Sequence, residues 1–482
     1  MTPKNLKSHA ISGARLAVMG RLIRAVQGIL ALSILSRFVT PTEFGLIAVV
    51  TFVAGIAQVF TDFGSRVALV QRRETTLLEE DSVFWWNLGI GVLLTGGVML
   101  GSSQIAALMG AAEVSWPLVW VAPIFLFGAI QGVPLSVLER GFSFGWIMMS
   151  EVGSAITGSI VAVVMVLMGY RLEALVAQQI AGPLVTMLVI LTGARWRPRL
   201  QFSYAAVRPL LSYGTYVTAA GVVQVLSSQA DRPIVTHRLS SADLGYSTIT
   251  EQIVLSPFRI IVQMVRKVMF PIMSTIQDDD ARLRRGYLSL QHGLMCLMAP
   301  VAFGLWAVAN PLVAILLGKG WEMVATLIGL VSIRLLFLTV NDLNNVIFSA
   351  KGWAKFQFKW SLFLAVVNIG TLVLMVSYGI VAVTAGRLVL SILLVPVQSW
   401  FVQRLIGLRP VDLISVLIRP ILSALLMGIL VWQLEERLTA GPVVQLAICI
   451  PVGIALYLAA QMVIDRARFL PVLRQMLRRH RA

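Results

Sequence analysis

The sequence has 482 residues, of which 58% are hydrophobic and 13% charged, and its mean hydropathy is +0.85. Soluble domains carry about 45–50% apolar and about 25% charged residues, so this chain has too few charged side chains to cover itself with a polar surface. Since one spanning helix needs about 20 apolar residues, the apolar content suffices for roughly fourteen helices. These proportions exclude a soluble enzyme with a single membrane anchor.

The net charge of +17 comes from 39 Lys and Arg residues against 22 Asp and Glu residues. Such an excess would suggest nucleic-acid binding in a soluble protein. In a membrane protein with many spans, however, cytoplasmic connectors collect Lys and Arg during insertion. The charge therefore predicts a membrane topology and no nucleic-acid partner.

Fourteen apolar runs, separated by polar turns, are long enough to cross a bilayer. They lie at about 14–36, 44–65, 83–104, 116–138, 146–169, 173–193, 210–230, 243–265, 286–308, 321–348, 358–378, 380–402, 413–433 and 441–464. The first run contains Arg21 and Arg24, which favours a retained helix over a cleaved signal. The sequence therefore predicts an all-α polytopic membrane protein with about 14 transmembrane helices.

The distribution of Lys and Arg among the connectors predicts the orientation. With the amino terminus inside, the cytoplasmic segments hold 27 of the 39 basic residues, the opposite connectors hold 6, and 6 lie within helices. Because cytoplasmic loops are enriched in basic residues, both termini are expected in the cytoplasm.

An internal repeat recurs at a period of about 200 residues. At an offset of 200, Glu43 aligns with Asp243 and Gly45 with Gly245. Six predicted helices separate the copies, so both point the same way through the membrane, as in transporters with parallel repeats around a central path. The expected organisation is a six-helix bundle at 1–206, a second at 207–410, and two further helices with a basic cytoplasmic tail at 411–482.

Polar side chains recur inside several predicted spanning helices, where they are costly and usually face the interior of a bundle. In the first helix Arg21, Arg24 and Gln27 follow one another at intervals of three residues, which keeps them near one face. Similar stripes in the seventh, eighth and tenth helices consist of Gln224, Ser228 and Asp231; of Gln252, Ser256, Arg259 and Gln263; and of Arg334, Asn341 and Asn345. Together they predict a polar cavity within the bilayer.

Three acidic residues, Glu251, Asp62 and Asp231, are candidates for coupling transport to an ion. Each has a plainer interpretation: Glu251 makes a structural hydrogen bond, Asp62 is an ordinary interface residue, and Asp231 is the water-exposed end of a helix. Arg21 and Arg24 have a plainer interpretation too, because long basic side chains can extend to the cytoplasmic headgroups.

No catalytic or metal-binding constellation is visible in the sequence. The four histidines, at positions 9, 237, 292 and 480, are scattered, without an Asp/Glu-His-Ser grouping or an H-E-x-x-H motif. Cys296 and Cys449 lie in apolar runs without a second ligand at metal-binding spacing. We therefore expect no catalytic residues, no metal and no cofactor, and a protein that is not an enzyme.

Three sequence segments carry a family resemblance. They are LSRFVTPTEFGLIA at 35–48, FTDFGSRVALVQ at 60–71 and FWWN at 84–87. These segments resemble the amino-terminal signature of bacterial polysaccharide transporters of the Wzx type, within the multidrug/oligosaccharidyl-lipid/polysaccharide exporter superfamily. The number of predicted helices, the half-repeat and the loop charge extend the resemblance over nearly the whole chain.

The resemblance implies a flippase that moves an undecaprenyl-diphosphate-linked oligosaccharide across the bacterial cytoplasmic (inner) membrane, for exopolysaccharide, capsule or O-antigen (lipopolysaccharide) assembly. It implies two V-shaped bundles of six helices plus two carboxy-terminal helices. The expected partners are the lipid-linked substrate, the lipid bilayer, and polysaccharide polymerase and export proteins.

The charge of the predicted cavity supports an anionic substrate. Arg21, Arg24, Arg259 and Arg334 would meet the pyrophosphate, because the guanidinium fork suits phosphate oxygens. The predicted polar lining consists of Gln27, Gln224, Gln252, Asn341 and Asn345. The alternatives are an ion-coupled multidrug exporter of the same superfamily, a membrane-embedded polymerase or acyltransferase, and a non-transporting scaffold for polysaccharide assembly.

Overall fold

The structure is a computed structural model that describes residues 20, 23–61, 63–72 and 75–465. Arg21 and Asp62, two of the predicted functional residues, lie outside the described residues. Within the described ranges the chain is helical and contains no strand. The all-α fold predicted from the apolar runs is confirmed for this part of the chain.

The α-helices among the described residues are separated by short connectors in the sequence. They are α1 (Ile23–Leu35), α2 (Pro41–Thr61), α3 (Ser65–Gln71), α4 (Leu77–Leu100), α5 (Ser102–Leu108), α6 (Ser115–Val121), α7 (Ile124–Arg140), α8 (Phe144–Leu167), α9 (Leu172–Ala194), α10 (Tyr204–Gln229), α11 (Asp231–Arg238), α12 (Ser241–Thr275), α13 (Asp280–Ala307), α14 (Ala309–Leu316), α15 (Glu322–Ala350), α16 (Ala354–Met375), α17 (Ile380–Ile406), α18 (Pro410–Arg437) and α19 (Pro442–Ile464).

Eleven helical segments among the described residues are long and apolar enough to cross a membrane. The number is twelve if Tyr204–Leu211 and Gly214–Arg238, which meet at an angle of 46°, form one span. The predicted total of fourteen is therefore not confirmed by the described part of the chain. The first predicted span has only the short helix α1 in the described part, and the eighth lies in α12, whose 35 residues include Glu251 and Arg259.

Two helices begin with the same local structure at positions 200 residues apart. Before α2, the Thr40 amide donates to Glu43 Oε2 at 2.7 Å, and the Glu43 amide donates to Thr40 Oγ1 at 3.4 Å. Before α12, Ser240 Oγ donates to Asp243 Oδ2 at 2.6 Å and accepts from the Asp243 amide at 3.1 Å. Both arrangements supply partners for amide groups that a helix start leaves unpaired.

The chain divides into two compact units, residues 1–248 and 249–482. In the first unit α7 packs against α4 and α9, α8 packs against α9, and α10 packs against α2, α3 and α4. In the second unit α13 packs between α15 and α18, α15 packs on α17, and α18 packs on α19. Because α10 and α11 belong to the first unit, this unit ends later than the predicted bundle boundary at 206/207. The repeat boundaries remain predictions.

Candidate substrate and coupling sites

Arg24 on α1 forms an ion pair with Glu151 on α8. The distance from Nη2 to Oε2 is 2.8 Å, and the two side chains are 35% and 41% exposed. Arg24 therefore extends towards a neighbouring helix of its own unit and is balanced there by a carboxylate. The rest of the described protein therefore covers this pair only partly.

Gln27 lies one turn further along α1 and faces the same helix. Its Nε2 donates to Ser159 Oγ on α8, and Gln178 Nε2 on α9 donates to the same oxygen at 3.5 Å. The predicted stripe of Arg24 and Gln27 thus faces α8, where Glu151 and Ser159 are its polar partners.

In the second unit, α15, α16 and α17 line an open cavity of about 80 Å³. Its lining combines one arginine with hydroxyl, amide, indole and apolar groups: Arg334, Leu338, Asn341, Trp360, Leu364, Asn368, Leu390, Ser391, Leu394, Val395 and Gln398. Arg334 Nε donates to Ser391 Oγ at 3.2 Å. The cavity has room for a few water molecules or one small polar group rather than an oligosaccharide.

A buried hydrogen-bond network adjoins this cavity and joins α13, α15 and α17. Tyr287 donates to Asn344 Oδ1 at 2.6 Å, and Asn344 Nδ2 donates to Gln398 Oε1 at 3.2 Å and to Ser399 Oγ at 3.0 Å. Gln398 Nε2 in turn donates to Asn345 Oδ1 at 3.3 Å. Gln398 therefore belongs to both the network and the cavity wall. Because such a network specifies one arrangement when its polar groups are paired, it holds the cavity wall in position.

Glu251 on α12 is paired with Arg387 on α17. Oε1 lies 3.6 Å from Arg387 Nη1, and the exposed fractions of the side chains are 35% for Glu251 and 17% for Arg387. Nearby in sequence, Arg259 and Arg266 interact electrostatically with the half-buried Asp342 of α15. Acidic groups on α12 and α15 therefore lie near basic groups on α17 and α12, respectively.

The structure places the remaining predicted residues as follows. Gln224 on α10 and Gln252 on α12 are exposed. Asp231 is the half-buried first residue of α11, and the next residue, Arg232, donates from Nη1 to the Ala48 carbonyl at 3.0 Å.

Sequence reasoning missed Glu151 and Arg387, the partners of two candidate residues. Both interrupt apolar runs that were identified as spanning helices, and an ionisable residue in such a run is itself a sign of function. The pairing could not be predicted, because Arg24 and Glu151 are 127 positions apart and meet only through the packing of α1 on α8.

The fold corresponds to that of a known class of membrane flippase. The chain is similar to the structure titled lipid II flippase MurJ, inward closed conformation, with a TM-score of 0.75 over 95% of this chain and 99% of that chain. The sequence identity is 15%, so the similarity defines the fold. With the spanning helices described above, it defines a multi-pass membrane protein of the flippase fold.

Residues 34–326 match the family of polysaccharide biosynthesis proteins, and the chain belongs to that family. It is 25% identical over 446 residues to the succinoglycan biosynthesis transport protein ExoT of Rhizobium meliloti (strain 1021), covering 90% of this chain and 89% of that protein. It is 24% identical over 403 residues to the lipopolysaccharide biosynthesis protein WzxC of Escherichia coli (strain K12), covering 83% and 82%. The resemblance to Wzx-type transporters is thereby confirmed.

Proposed function

We propose that the protein flips an undecaprenyl-diphosphate-linked oligosaccharide repeat unit across the bacterial cytoplasmic membrane, for the assembly of exopolysaccharide, capsule or O-antigen. It does so by alternating access of two helical bundles around a cationic cavity, without covalent chemistry on the substrate. The fold shared with a lipid II flippase and relatives named for polysaccharide and lipopolysaccharide biosynthesis support this substrate class.

The observation that carries the proposal is the placement of arginines within apolar spanning helices. A pyrophosphate that leaves water loses its hydration, which costs many kcal/mol unless charged partners replace the water. Guanidinium groups meet phosphate oxygens with two parallel hydrogen bonds. Arg334, beside the amides of Asn341 and Asn368, offers such a group in the second unit, and Arg24 offers one in the first.

The ion pairs of this chain suggest how binding is coupled to an ion. When the pyrophosphate binds Arg24, Glu151 loses its cationic partner and gains affinity for a proton or a metal cation. Glu251 is placed in the same way beside Arg387. In this scheme an ion takes the place that the arginine leaves, so the net charge within the bilayer stays small, as the high cost of buried charge requires.

In this proposal residues 1–206 and 207–410 form the two moving bundles, and residues 411–482 are appended to the second. Both termini lie in the cytoplasm. The polymerase and the export proteins act on the unit after it has reached the outer leaflet.

The proposal is tested by complementation of a strain that lacks the gene, with Arg334→Ala, Arg334→Lys and, as a matched control, Ser391→Ala. The control removes the hydroxyl that Arg334 contacts and keeps the guanidinium. Losing one partner of a buried charge costs about 2–5 kcal/mol, so we expect Arg334→Ala to abolish most polymer, Arg334→Lys to retain part and Ser391→Ala to retain nearly all.

The location of the accumulated intermediate separates the candidate functions. A flippase defect leaves lipid-linked oligosaccharide on the cytoplasmic side, a polymerase defect leaves single units on the outer side, and a drug-exporter defect leaves the polymer intact and raises drug sensitivity. Full polymer production by Arg334→Ala at normal abundance would remove Arg334 from the mechanism.

A further inference from the structure

A cluster of ionisable side chains lies where α13, α18 and the end of α19 meet. Asp465, directly after α19, has a side chain that is 0% exposed. Its Oδ1 lies 3.0 Å from Arg419 Nη1 on α18, and its Oδ2 lies 3.2 Å from His292 Nε2 on α13. The proposed substrate and coupling sites do not use these three residues.

The second ring nitrogen of His292 faces a backbone oxygen that has lost its usual donor. In an α-helix the Val416 carbonyl would accept from the amide of residue 420, but that residue is Pro420, which has no N–H. His292 Nδ1 lies 3.4 Å from this carbonyl oxygen. The carbonyl one turn before Pro420 in α18 therefore offers an acceptor to the imidazole.

His292 Nδ1 thus faces an oxygen that can only accept a hydrogen bond, whereas Nε2 faces the Asp465 carboxylate and the Cys296 thiol, whose sulfur lies 3.5 Å away. A neutral imidazole has a single N–H, whereas an imidazolium has two. Asp465 Oδ2 has no aligned hydrogen-bond donor among the described residues, and its contact with His292 becomes an ion pair when the imidazole is protonated. A buried carboxylate is stabilised by charged partners; Arg419 supplies one at Oδ1, and the protonated His292 supplies a second at Oδ2.

The other groups around His292 are neutral at ordinary pH. Cys296 Sγ lies 3.5 Å from Nε2, the Cys296 carbonyl accepts from the Tyr457 hydroxyl at 2.9 Å, and Gln461 Nε2 donates to that hydroxyl at 2.7 Å.

Several charged residues of α15 and α17, which also pack on α13, have described partners elsewhere. On α15 and α17, Asp342 interacts with Arg259 and Arg266, Arg334 with Ser391, Arg387 with Glu251, and Arg404 with the Trp400 ring.

We infer that His292, Asp465 and Arg419 form a proton-binding site that fastens the carboxy-terminal end of α19 to α13. The inference goes beyond the proposed function and does not depend on the substrate. α19 packs mainly on α18, and its direct packing on α13 is sparse, so the polar contacts of His292 and Asp465 add a direct link between α13 and the end of α19. Because the bound proton favours the fastened state, we expect the attachment to be stronger at low pH than at high pH.

Cys296 reports on this attachment, because it lies between His292 and α19. The test uses the purified full-length protein with Cys449→Ala, which leaves Cys296 as its single thiol. The rate of maleimide labelling is measured from pH 5.5 to 8.5 for the native and the denatured protein. The protection of Cys296 is the rate for the denatured protein divided by the rate for the native protein at the same pH. This ratio cancels the intrinsic titration of the thiol. We expect this protection of Cys296 to fall by about tenfold as pH rises, the size expected for the loss of one hydrogen bond to a charged group.

His292→Gln keeps a hydrogen-bond donor but cannot take up the proton, so we expect low protection at every pH. Asp465→Asn should behave likewise. His237→Gln is the matched control, because it changes a histidine on α11 in the other unit, and it should keep the pH profile of the parent. Protection that is independent of pH in the parent protein, or that stays pH-dependent in His292→Gln, would overturn the inference. If neither variant yields monodisperse protein, His292→Asn replaces them. A pH-dependent protection in the parent that is lost in His292→Asn would support the inference, and a pH-dependent protection that persists in His292→Asn would overturn it.

Discussion

Gly45 and Gly245 pack the first turns of α2 and α12 so closely that neither position has room for a side chain. A Cβ on Gly45 would lie 1.7 Å from the Ser241 carbonyl oxygen, and a Cβ on Gly245 would lie 1.9 Å from the Pro41 carbonyl oxygen. The two glycines are 200 positions apart and follow the two equivalent helix starts. The contact explains why both copies of the repeat keep glycine here.

Alanine at either position should destabilise the protein. Since the clashing atoms belong to the backbone, the helices must move apart, which costs about 1–3 kcal/mol. Gly89→Ala in α4 is the matched control, because nothing lies within 4 Å of its Cβ, and alanine there favours the helix by about 1 kcal/mol. Thermal unfolding of the purified variants should therefore rank Gly45→Ala and Gly245→Ala below the parent and Gly89→Ala at or above it. Equal stability of Gly45→Ala and Gly89→Ala would contradict the close contact.

The connector charges predict which residues face the cytoplasm. In a background without the native cysteines, single cysteines at Arg197, Arg284 and Lys355 should be protected from an impermeant thiol reagent in intact cells, and cysteines at Ala112 and Ser240 should react. After the membrane is permeabilised, all five should react, which controls for local burial. Labelling of the Arg284→Cys protein in intact cells would refute the predicted orientation.

The sequence predicted the helical segments well because apolar length is a local property. It was less successful for α12, where charged residues interrupt the apolar run and which is not among the helices apolar enough to cross a membrane. The sequence identified Arg24 and Glu251 as unusual from their apolar surroundings. It did not predict their partners Glu151 and Arg387, because those contacts depend on which helices pack together and at what register.

Glu251 provides a test of ion coupling. Glu251→Gln keeps the size and the hydrogen-bonding capacity of the side chain but removes the charge that Arg387 balances, so we expect slower flipping with a weaker dependence on pH. The measurement is flipping of a lipid-linked oligosaccharide in proteoliposomes across a pH series. Glu113→Gln, an exposed acidic residue in a connector, serves as the control. If Glu251→Gln flipped the substrate at the wild-type rate and with unchanged pH dependence, the coupling role would be wrong, and the carboxyl would make a structural hydrogen bond only.

Arg24 and Glu151 together separate a binding role from a structural one. The rest of the protein covers their ion pair only partly, so we expect Arg24→Ala and Glu151→Gln both to reach normal levels in the membrane. If Arg24 binds the pyrophosphate, Arg24→Ala should lose most polymer production, since losing a partner of a buried charge costs about 2–5 kcal/mol. Arg24→Lys, which keeps the charge without the planar fork, should be partly active.

Glu151→Gln gives the decisive comparison, because it frees Arg24 from its carboxylate without removing the guanidinium. We expect substrate binding by this variant to be retained or strengthened, and any defect to lie in release or in ion dependence. Complementation with immunoblotting gives activity per protein, and Arg171→Ala, an exposed arginine beside α9, controls for the loss of one positive charge. If Arg24→Ala and Glu151→Gln reduced polymer equally, and the double variant were no worse than either, the pair would act only as a link between α1 and α8. The anionic cavity would then depend on Arg259 and Arg334.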